Sequence, residues 1–312
     1  MPTAQKPIVV VGSINLDLVT NADHIPAAGE TVQGRGFEMH PGGKGANQAV
    51  AVARLGYPVQ MIGKIGSDVL GDQLWAHLKD AGVGLAGVER TEGSSGTAVI
   101  VVAPQGENCI VVTRGANARV LPDSVDRHFD IISGAGLVLT QLEIPLETVE
   151  HLAEVCFRLG IQLILDPAPA RALTGKLLSS VSWFTPNETE TAFYLRPMVH
   201  SSDVDSPSNA GRLLREKGPA GVILKMGSRG AYLVAEKFEQ QLDAFQVEAV
   251  DTTAAGDAFN GAFAVGLMSG KSPVESTRFA VAAASFSVTR PGAQPSMPTL
   301  AEVTRMLNAR EI

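Results

Sequence analysis

The run Asp251-Thr-Thr-Ala-Ala-Gly-Asp-Ala-Phe-Asn-Gly261 holds the residues best placed for chemistry in this chain. Ala254, Ala255 and Gly256 have no bulk to shield their backbone N–H groups. At the start of a helix those donors, with the positive end of the helix dipole, form a cradle for an anion. Ala258, Phe259, Ala262, Phe263 and Gly266 follow at helical spacing, which predicts a helix over 256–269 packed closely on a core. A carboxylate at 257 would be repelled by a phosphate bound in that cradle. As a general base facing a hydroxyl that attacks phosphorus, it has a reason to be there. The plainer role is an aspartate capping its own helix.

Several other clusters bear on that choice. Asn15 and Asp17 follow the apolar run Ile8 to Val11, and an amide and a carboxylate two residues apart can hold vicinal hydroxyls. An Asx-stabilised turn is the alternative for this pair. In His40-Pro-Gly-Gly-Lys-Gly-Ala-Asn47, the residues Gly42, Gly43 and Gly45 permit close backbone approach, and Asn47 sits in the first helical turn. The GxxxxGK[ST] spacing of a Walker A loop is absent. Asn187 and Glu190 in Thr-Pro-Asn-Glu-Thr-Glu lie three apart at a helix start. They serve either the water shell of a nucleotide-bound Mg²⁺ or a capping box. Lys225-Met-Gly-Ser-Arg-Gly230 is a strand ending in a glycine turn, able to lie under a nucleotide or to form a simple β-turn. Glu143 is one more polar group at a strand end. No hydrolase triad and no metal spacing among the six histidines is visible.

These residues need a frame that brings strand ends together. Short apolar runs at Ile8–Val11, Val59–Ile65, Leu137–Leu142, Ile161–Leu165, Val181–Phe184 and Gly221–Met226 read as buried strands. Helical patterns lie between them, from Gly42–Gly43 to Gly56, Asp68 to Asp80 and Leu146 to Leu159, with further helices at 256–269, 273–289 and 299–309. That alternation predicts an α/β fold whose mostly parallel central sheet is flanked by helices, with ligands at the carboxyl ends of its strands. Gly29–Met39 and Thr97–Thr113 break the pattern. They read as antiparallel strands, the second with a turn near Gln105–Gly106, and together they predict a small β lid. Val99, Val101, Ile110 and Val112 would form its apolar face. Ser201–Ser208 reads as a polar loop, and there is no internal repeat.

The 312 residues carry a net charge of −7, which argues against a nucleic-acid surface. Acidic proteins still bind phosphates through local dipoles and metals. The two cysteines, Cys109 and Cys156, lack a CxxC and read as buried free thiols in a reducing compartment. The first apolar run meets Asn15 and Asp17 too early for a signal peptide, and no stretch approaches a membrane span. A cytoplasmic location is expected.

Taken together, in this order and at these separations, the motifs resemble the ribokinase family of carbohydrate kinases from about Ile8 to the final helix. Gly42-Gly-Lys-Gly-Ala-Asn47 is similar to the family's first signature and Asp251-Thr-Thr-Ala-Ala-Gly-Asp257 to its second. The Asn–x–x–Glu element matches Asn187 and Glu190. The resemblance implies a single domain over 1–312, with lid strands from about 15–41 and 96–115. It implies ATP-dependent phosphorylation of the 5-hydroxyl of D-ribose, with Mg²⁺ and K⁺ as cofactors. Asn15, Asp17, Gly43, Lys44, Asn47 and Glu143 would hold the sugar, with Asp257 as base and Ala254, Ala255 and Gly256 supplying the cradle. Asn187, Lys225, Gly227, Ser228, Gly230, Ala255 and Gly256 would surround the nucleotide, with Glu190 reaching Mg²⁺ through water. Asp251, Thr253, Ser287, Arg290, Gly292 and Ser296 would surround the potassium ion, largely through backbone carbonyls. A C₂ homodimer through the lids is expected.

Three positions depart from the family pattern. Val281 occupies a place where the family can carry a polar residue near the adenine, Lys225 stands where threonine is frequent, and Asp166 replaces a common asparagine. A deoxyribose or other pentose kinase, or a sugar or nucleotide sensor without turnover, are the competing readings.

Overall fold

The strand β1 (Ile8–Val11) runs through the centre of the computed structural model, which describes residues 5–104, 107–196 and 206–309. Its side chains alternate between two cores. Ile8 and Val10 pack on one face of the sheet and Val9 and Val11 on the other, all four with no exposure. A strand buried on both faces needs an unbroken apolar run, and burying each such side chain stabilises the fold by about 1.5–3 kcal/mol.

The other strands of the first half are β2 (Asn15–Asn21), β3 (Gly36–Gly42), β4 (Val59–Gly66), β5 (Gly84–Thr91), β6 (Gly96–Val102) and β7 (Asn108–Thr113). They are followed by β8 (Leu137–Thr140), β9 (Gln162–Leu165), β10 (Trp183–Phe184), β11 (Gly221–Lys225), β12 (Ala231–Ala235) and β13 (Phe238–Leu242). Nine of them form one sheet in the order β13-β12-β11-β10-β9-β8-β1-β4-β5, parallel except at the β11–β12–β13 edge. A smaller sheet, β3-β2-β6-β7, is antiparallel at both edges and parallel between β2 and β6.

One face of the large sheet is covered by α1 (Lys44–Arg54), α2 (Val69–Asp80), α9 (Ala255–Met268), α10 (Pro273–Ser287) and α11 (Leu300–Asn308). The other is covered by α3 (Pro122–Arg127), α4 (Phe129–Ser133), α5 (Leu146–Leu159), α6 (Gly175–Ser179), α7 (Glu188–Leu195) and α8 (Pro207–Glu216). No helix among the described residues is long and apolar enough to cross a membrane.

Two glycines on α9 set its distance from its neighbours. A Cβ on Gly261 would stand 2.7 Å from Ala51 Cβ and 3.1 Å from the Gln48 carbonyl oxygen, so α9 lies against α1 only because position 261 has no side chain. A Cβ on Gly266 would likewise meet Ser276 at 2.9 Å, on α10.

Several expectations need correction. The strand expected at Gly29–Met39 begins only at Gly36. Its partner β2 contains Asn15 and Asp17, which therefore open a strand of the smaller sheet besides following β1. The register Val99↔Val111 and Ile100↔Ile110 divides the expected apolar face. Val99 and Val101 share a face with Val111 and Cys109, whereas Ile110 and Val112 lie on the opposite one, because side chains alternate at every residue along a strand. Cys109 is exposed on the edge strand β7, and only Cys156 is buried, its thiol pushed up to about 12 by that burial. The turn at Gln105–Gly106 lies outside the described residues, as does most of Ser201–Ser208. Of the latter, Ser206 caps α8 and Pro207 opens it, a helix start read as a loop.

Candidate active site

In the large sheet β1 is flanked by β4, reached later in the first half of the chain, on one side and by β8 on the other. A crevice opens at the carboxyl ends of strands where the order switches in this way. Glycines let the backbone close around it. Gly43, at φ 86°, precedes α1, and a Cβ there would fall 2.7 Å from the Asn15 amide nitrogen. A Cβ on Gly45 would fall 2.7 Å from Ser13 N. The N-terminus of α1 is thereby pressed onto the end of β1.

On that side lie the residues expected to hold the sugar. Glu143 Oε2 accepts hydrogen bonds from Ser13 Oγ (2.5 Å) and from Lys44 N (3.1 Å). Asn15 Oδ1 accepts from Asn117 Nδ2 at 2.6 Å, which leaves the Asn15 amide nitrogen to serve as a donor elsewhere. Asn117 also clamps Ile14 through both its backbone groups. Asp17 is half-buried, and its carboxyl is pushed up to about 6 by burial and by the Glu143 and Asp257 carboxylates, with His40 opposing.

Asp257 is the third residue of α9 and does not cap it. The N-cap is Ala254, in the left-handed region at φ 58°, with no side-chain cap bond. The Asp257 carboxylate instead turns toward α1. Its Oδ2 accepts from Asn47 Nδ2 at 2.9 Å and its Oδ1 from Gln48 Nε2 at 3.0 Å. Burial pushes its carboxyl up to about 6, with Asp166 adding to the effect and Lys44, Asn47 and Gln48 opposing it. Such a group is ionised at neutral pH and is a stronger base than an ordinary aspartate. Burial would lower the Lys44 ammonium, but Asp257, Asp166, Glu143 and Glu190 together hold it above the usual lysine range.

Beyond Asp257 a cavity of about 500 Å³ runs along the N-terminus of α9. Ala254, Ala255, Gly256 and Asp257 line one end of it, with Lys44, Asp166 and Lys225. Asn187, Glu190, Gly227, Ser228 and Gly230 line the flank, and Phe245, Val247, Val281 and Val288 make an apolar slot. Asn187 and Glu190 form a complete capping box for α7: Glu190 N donates to Asn187 Oδ1 at 2.9 Å, and Asn187 N to Glu190 Oε2 at 2.7 Å. The helix-start reading of this pair is therefore realised, with both Glu190 carboxylate oxygens accepting from Asn187 at the edge of the cavity that the two residues line. Burial raises its carboxyl, Asp166 adds to this, and Lys225, Lys44 and the Asn187 N–H oppose it.

Of the residues assigned by resemblance to a potassium ion, Asp251, Thr253 and Gly292 meet. Asp251 Oδ1 accepts from Thr253 N and Oδ2 from Gly292 N, both at 2.8 Å, and Val288 O accepts from the amides of Val250 and Asp251. Ser287, the last residue of α10, and Ser296 are buried at the two ends of the segment that follows that helix. The Arg290 side chain is engaged elsewhere, stacked 4.5 Å over Phe286 and paired with Glu302. Among the described residues no cluster of three or more His, Cys, Asp or Glu is arranged to hold a metal.

Sequence reasoning missed four residues that shape this network: Gln48, Asn117, Gln141 and Gln294. Gln294 Nε2 donates to Asn47 Oδ1 at 3.0 Å and Gln141 Nε2 to Gln48 Oε1 at 2.7 Å. Gln48 follows Asn47 in a motif already singled out, so its place beside the base was legible there. Nothing in the sequence around Asn117 marks it.

The sequence matches the pfkB family carbohydrate kinase family over residues 5–300. It is 42% identical over 304 residues to the ribokinase of Bacillus subtilis (strain 168), across 97% of this chain and 100% of that protein. It is 37% identical over 306 residues to the deoxyribokinase of Salmonella typhi, across 97% of this chain and 99% of that protein. The structure of Arabidopsis thaliana ribokinase complexed with ribose and ATP superposes with a TM-score of 0.90 at 35% identity, covering 97% of this chain and 98% of that one. With the family matched along nearly its whole length and the fold shared at this level, the chain belongs to the pfkB family of carbohydrate kinases.

Proposed function

We propose that this protein transfers the γ-phosphoryl group of ATP to the 5-hydroxyl of D-ribose, giving ribose 5-phosphate and ADP. The observation that carries the reading is the position of Asp257, buried, lining the cavity along α9 and held by Asn47 and Gln48 of α1, with Asp17 and Glu143 close enough to act on one another's charge. Asp257 takes the proton from the 5-hydroxyl as that oxygen attacks phosphorus. The 254–256 amides and Lys44 stabilise charge on the transferring group. Asn15, Asp17, Gly43, Asn47 and Glu143 bind the sugar hydroxyls, and Asn187, Gly227, Ser228 and Gly230 border the nucleotide. Phe245, Val247, Val281 and Val288 make one part of the cavity apolar, as the faces of an adenine require. Glu190, facing the cavity, fits a water-mediated Mg²⁺ contact, and Asp251 with the 287–296 carbonyls fits K⁺. When bound, Mg²⁺ would supply charge neutralisation at the nucleotide phosphates, and K⁺ would supply charge that helps order the 251–253 segment before the cradle. The smaller sheet closes over the sugar as a lid, shields the reaction from water, and joins two copies into a homodimer.

The similarity to a deoxyribokinase favours a second reading in which 2-deoxyribose is the preferred acceptor. ADP release measured with Mg-ATP across ribose, deoxyribose, other pentoses, fructose 6-phosphate and adenosine separates the two. Ribose should give the highest kcat/KM; a higher value for deoxyribose or a nucleoside would end the ribose assignment.

A further inference from the structure

Resting on the kinase reading above, the geometry points to Lys225 and Asp166 as a phosphate-responsive pair: Lys225 is stored on Asp166 until nucleotide phosphates draw it onto the cradle, and Gln48 ties Asp166 to the base. Lys225 Nζ lies 2.8 Å from Asp166 Oδ1, with Asp166 almost fully buried and Lys225 nearly so. The same ammonium stands 3.3 Å from where a Cβ would sit on Gly256, so it already hangs over the N-terminus of α9. Asp166 Oδ2 accepts from Gln48 Nε2 at 3.0 Å, and that nitrogen also donates to Asp257 Oδ1 at 3.0 Å. Gln141 holds the other end of the Gln48 amide, which fixes its orientation. One amide nitrogen thus joins the carboxylate that stores Lys225 to the carboxylate that takes the proton.

Two of the three positions that depart from the family pattern, Asp166 and Lys225, are the two ends of this ion pair. A buried carboxylate without a partner is costly, so Asp166 and Lys225 are stable together and neither is stable alone. The phosphates of a nucleotide bring several negative charges to the cradle and compete for Lys225 at hydrogen-bond range. When Lys225 turns to them, Asp166 loses its ion-pair partner and keeps only the Gln48 amide and the Lys44 ammonium, which it shares with Asp257. The negative potential at Asp257 then rises, against the fixed contributions of Lys44 on α1 and Asp17 on β2. The base gains proton affinity when a phosphoryl group is present to be attacked.

The test compares Asp166→Asn and Lys225→Met. Asparagine still accepts from Gln48 but no longer holds a lysine. Binding of a non-hydrolysable ATP analogue with Mg²⁺ is measured by calorimetry without sugar, with thermal melts to establish folding. Lys225→Met should weaken the analogue by about tenfold or more, the scale of one charged hydrogen bond. Asp166→Asn should tighten it several-fold, because the competitor for Lys225 is gone, and yet lower kcat at saturating substrates. If Lys225→Met unfolds, Lys225→Gln takes its place. Variants that shift analogue affinity in the same direction, or leave it unchanged, overturn the stored-lysine inference. An unchanged kcat in Asp166→Asn overturns the link to the base. A wild-type chain that binds the analogue but transfers nothing to ribose would sink the sugar assignment and leave this comparison standing.

Discussion

The Asp257 carboxylate carries two opposed consequences of burial. As a base it should govern turnover: Asp257→Asn keeps the shape and loses the proton acceptor, so kcat should fall by about 10²–10⁴-fold while nucleotide still binds. Near-normal turnover in that variant would leave Asp257 a packing role alone. Because Asp257 and Asp17 are both pushed up to about 6, activity should fall as pH drops through about 6, where an ordinary aspartate would hold it down to about 4. The same shift acts on stability with the opposite sign. A carboxyl whose folded value lies above its ordinary 3.8 favours the fold at low pH, and that contribution is lost as pH rises to about 6. The difference is on the order of 3 kcal/mol, less whatever an amide forfeits of the Asn47 and Gln48 bonds. Asp257→Asn should therefore gain stability relative to the wild type between pH 4 and pH 8, a change that denaturant titration at the two pH values would measure.

At the scale of elements, catalysis depends on how closely α9 lies against α1. Gly261→Ala would place a methyl group 2.7 Å from Ala51 Cβ and close to the Gln48 carbonyl, forcing the helices apart. Overpacking of this kind costs about 1–3 kcal/mol. It should also lower kcat more than it alters nucleotide affinity, since the bonds from Asn47 and Gln48 to Asp257 span that interface. A variant with reduced stability but full kcat would show that the base does not need those amides. The segment before α9 is tied to the 287–296 loop through Asp251 and Gly292, and Gln294 on that loop reaches Asn47. A monovalent cation bound there would act on the cradle and the base together. Activity should rise when K⁺ replaces Na⁺ or Li⁺ at constant ionic strength, and indifference to the cation would remove the ion from the account.

For the whole molecule, the smaller sheet is where association is expected. Phe37, Met39, Val99 and Val111 are exposed on one of its faces, Ile110 and Val112 on the other, and β3 and β7 are open edges. Proteins cover such edges or pair them. Sedimentation at micromolar concentration should give a dimer, and Ile110→Lys with Val111→Lys, which charges both faces of β7, should return it to a monomer. A monomeric wild type would count against assembly through this sheet.

The motif spacing determined which residues could do chemistry, and the apolar runs determined the parallel sheet that gathers them. Both are local signals: a buried strand such as Ile8–Val11 must be apolar throughout, and a cradle such as 254–256 must be small. The antiparallel edge strands β12 and β13, the short helices and the register of the smaller sheet were not legible. Their patterns are short or ambiguous, and their partners are chosen by packing. Cys109 shows the same limit, since exposure belongs to an edge and an edge is a property of the assembled sheet. The network around Asp257 lies furthest beyond the sequence. Gln48, Asp166 and Lys225 are separated by 118 and 59 positions, and only the closing of α1 onto α9 and of β9 onto β11 through β10 makes them neighbours. Sequence spacing carries a residue's chemistry, but the proton affinity of a buried carboxylate depends on the charges that tertiary structure sets around it.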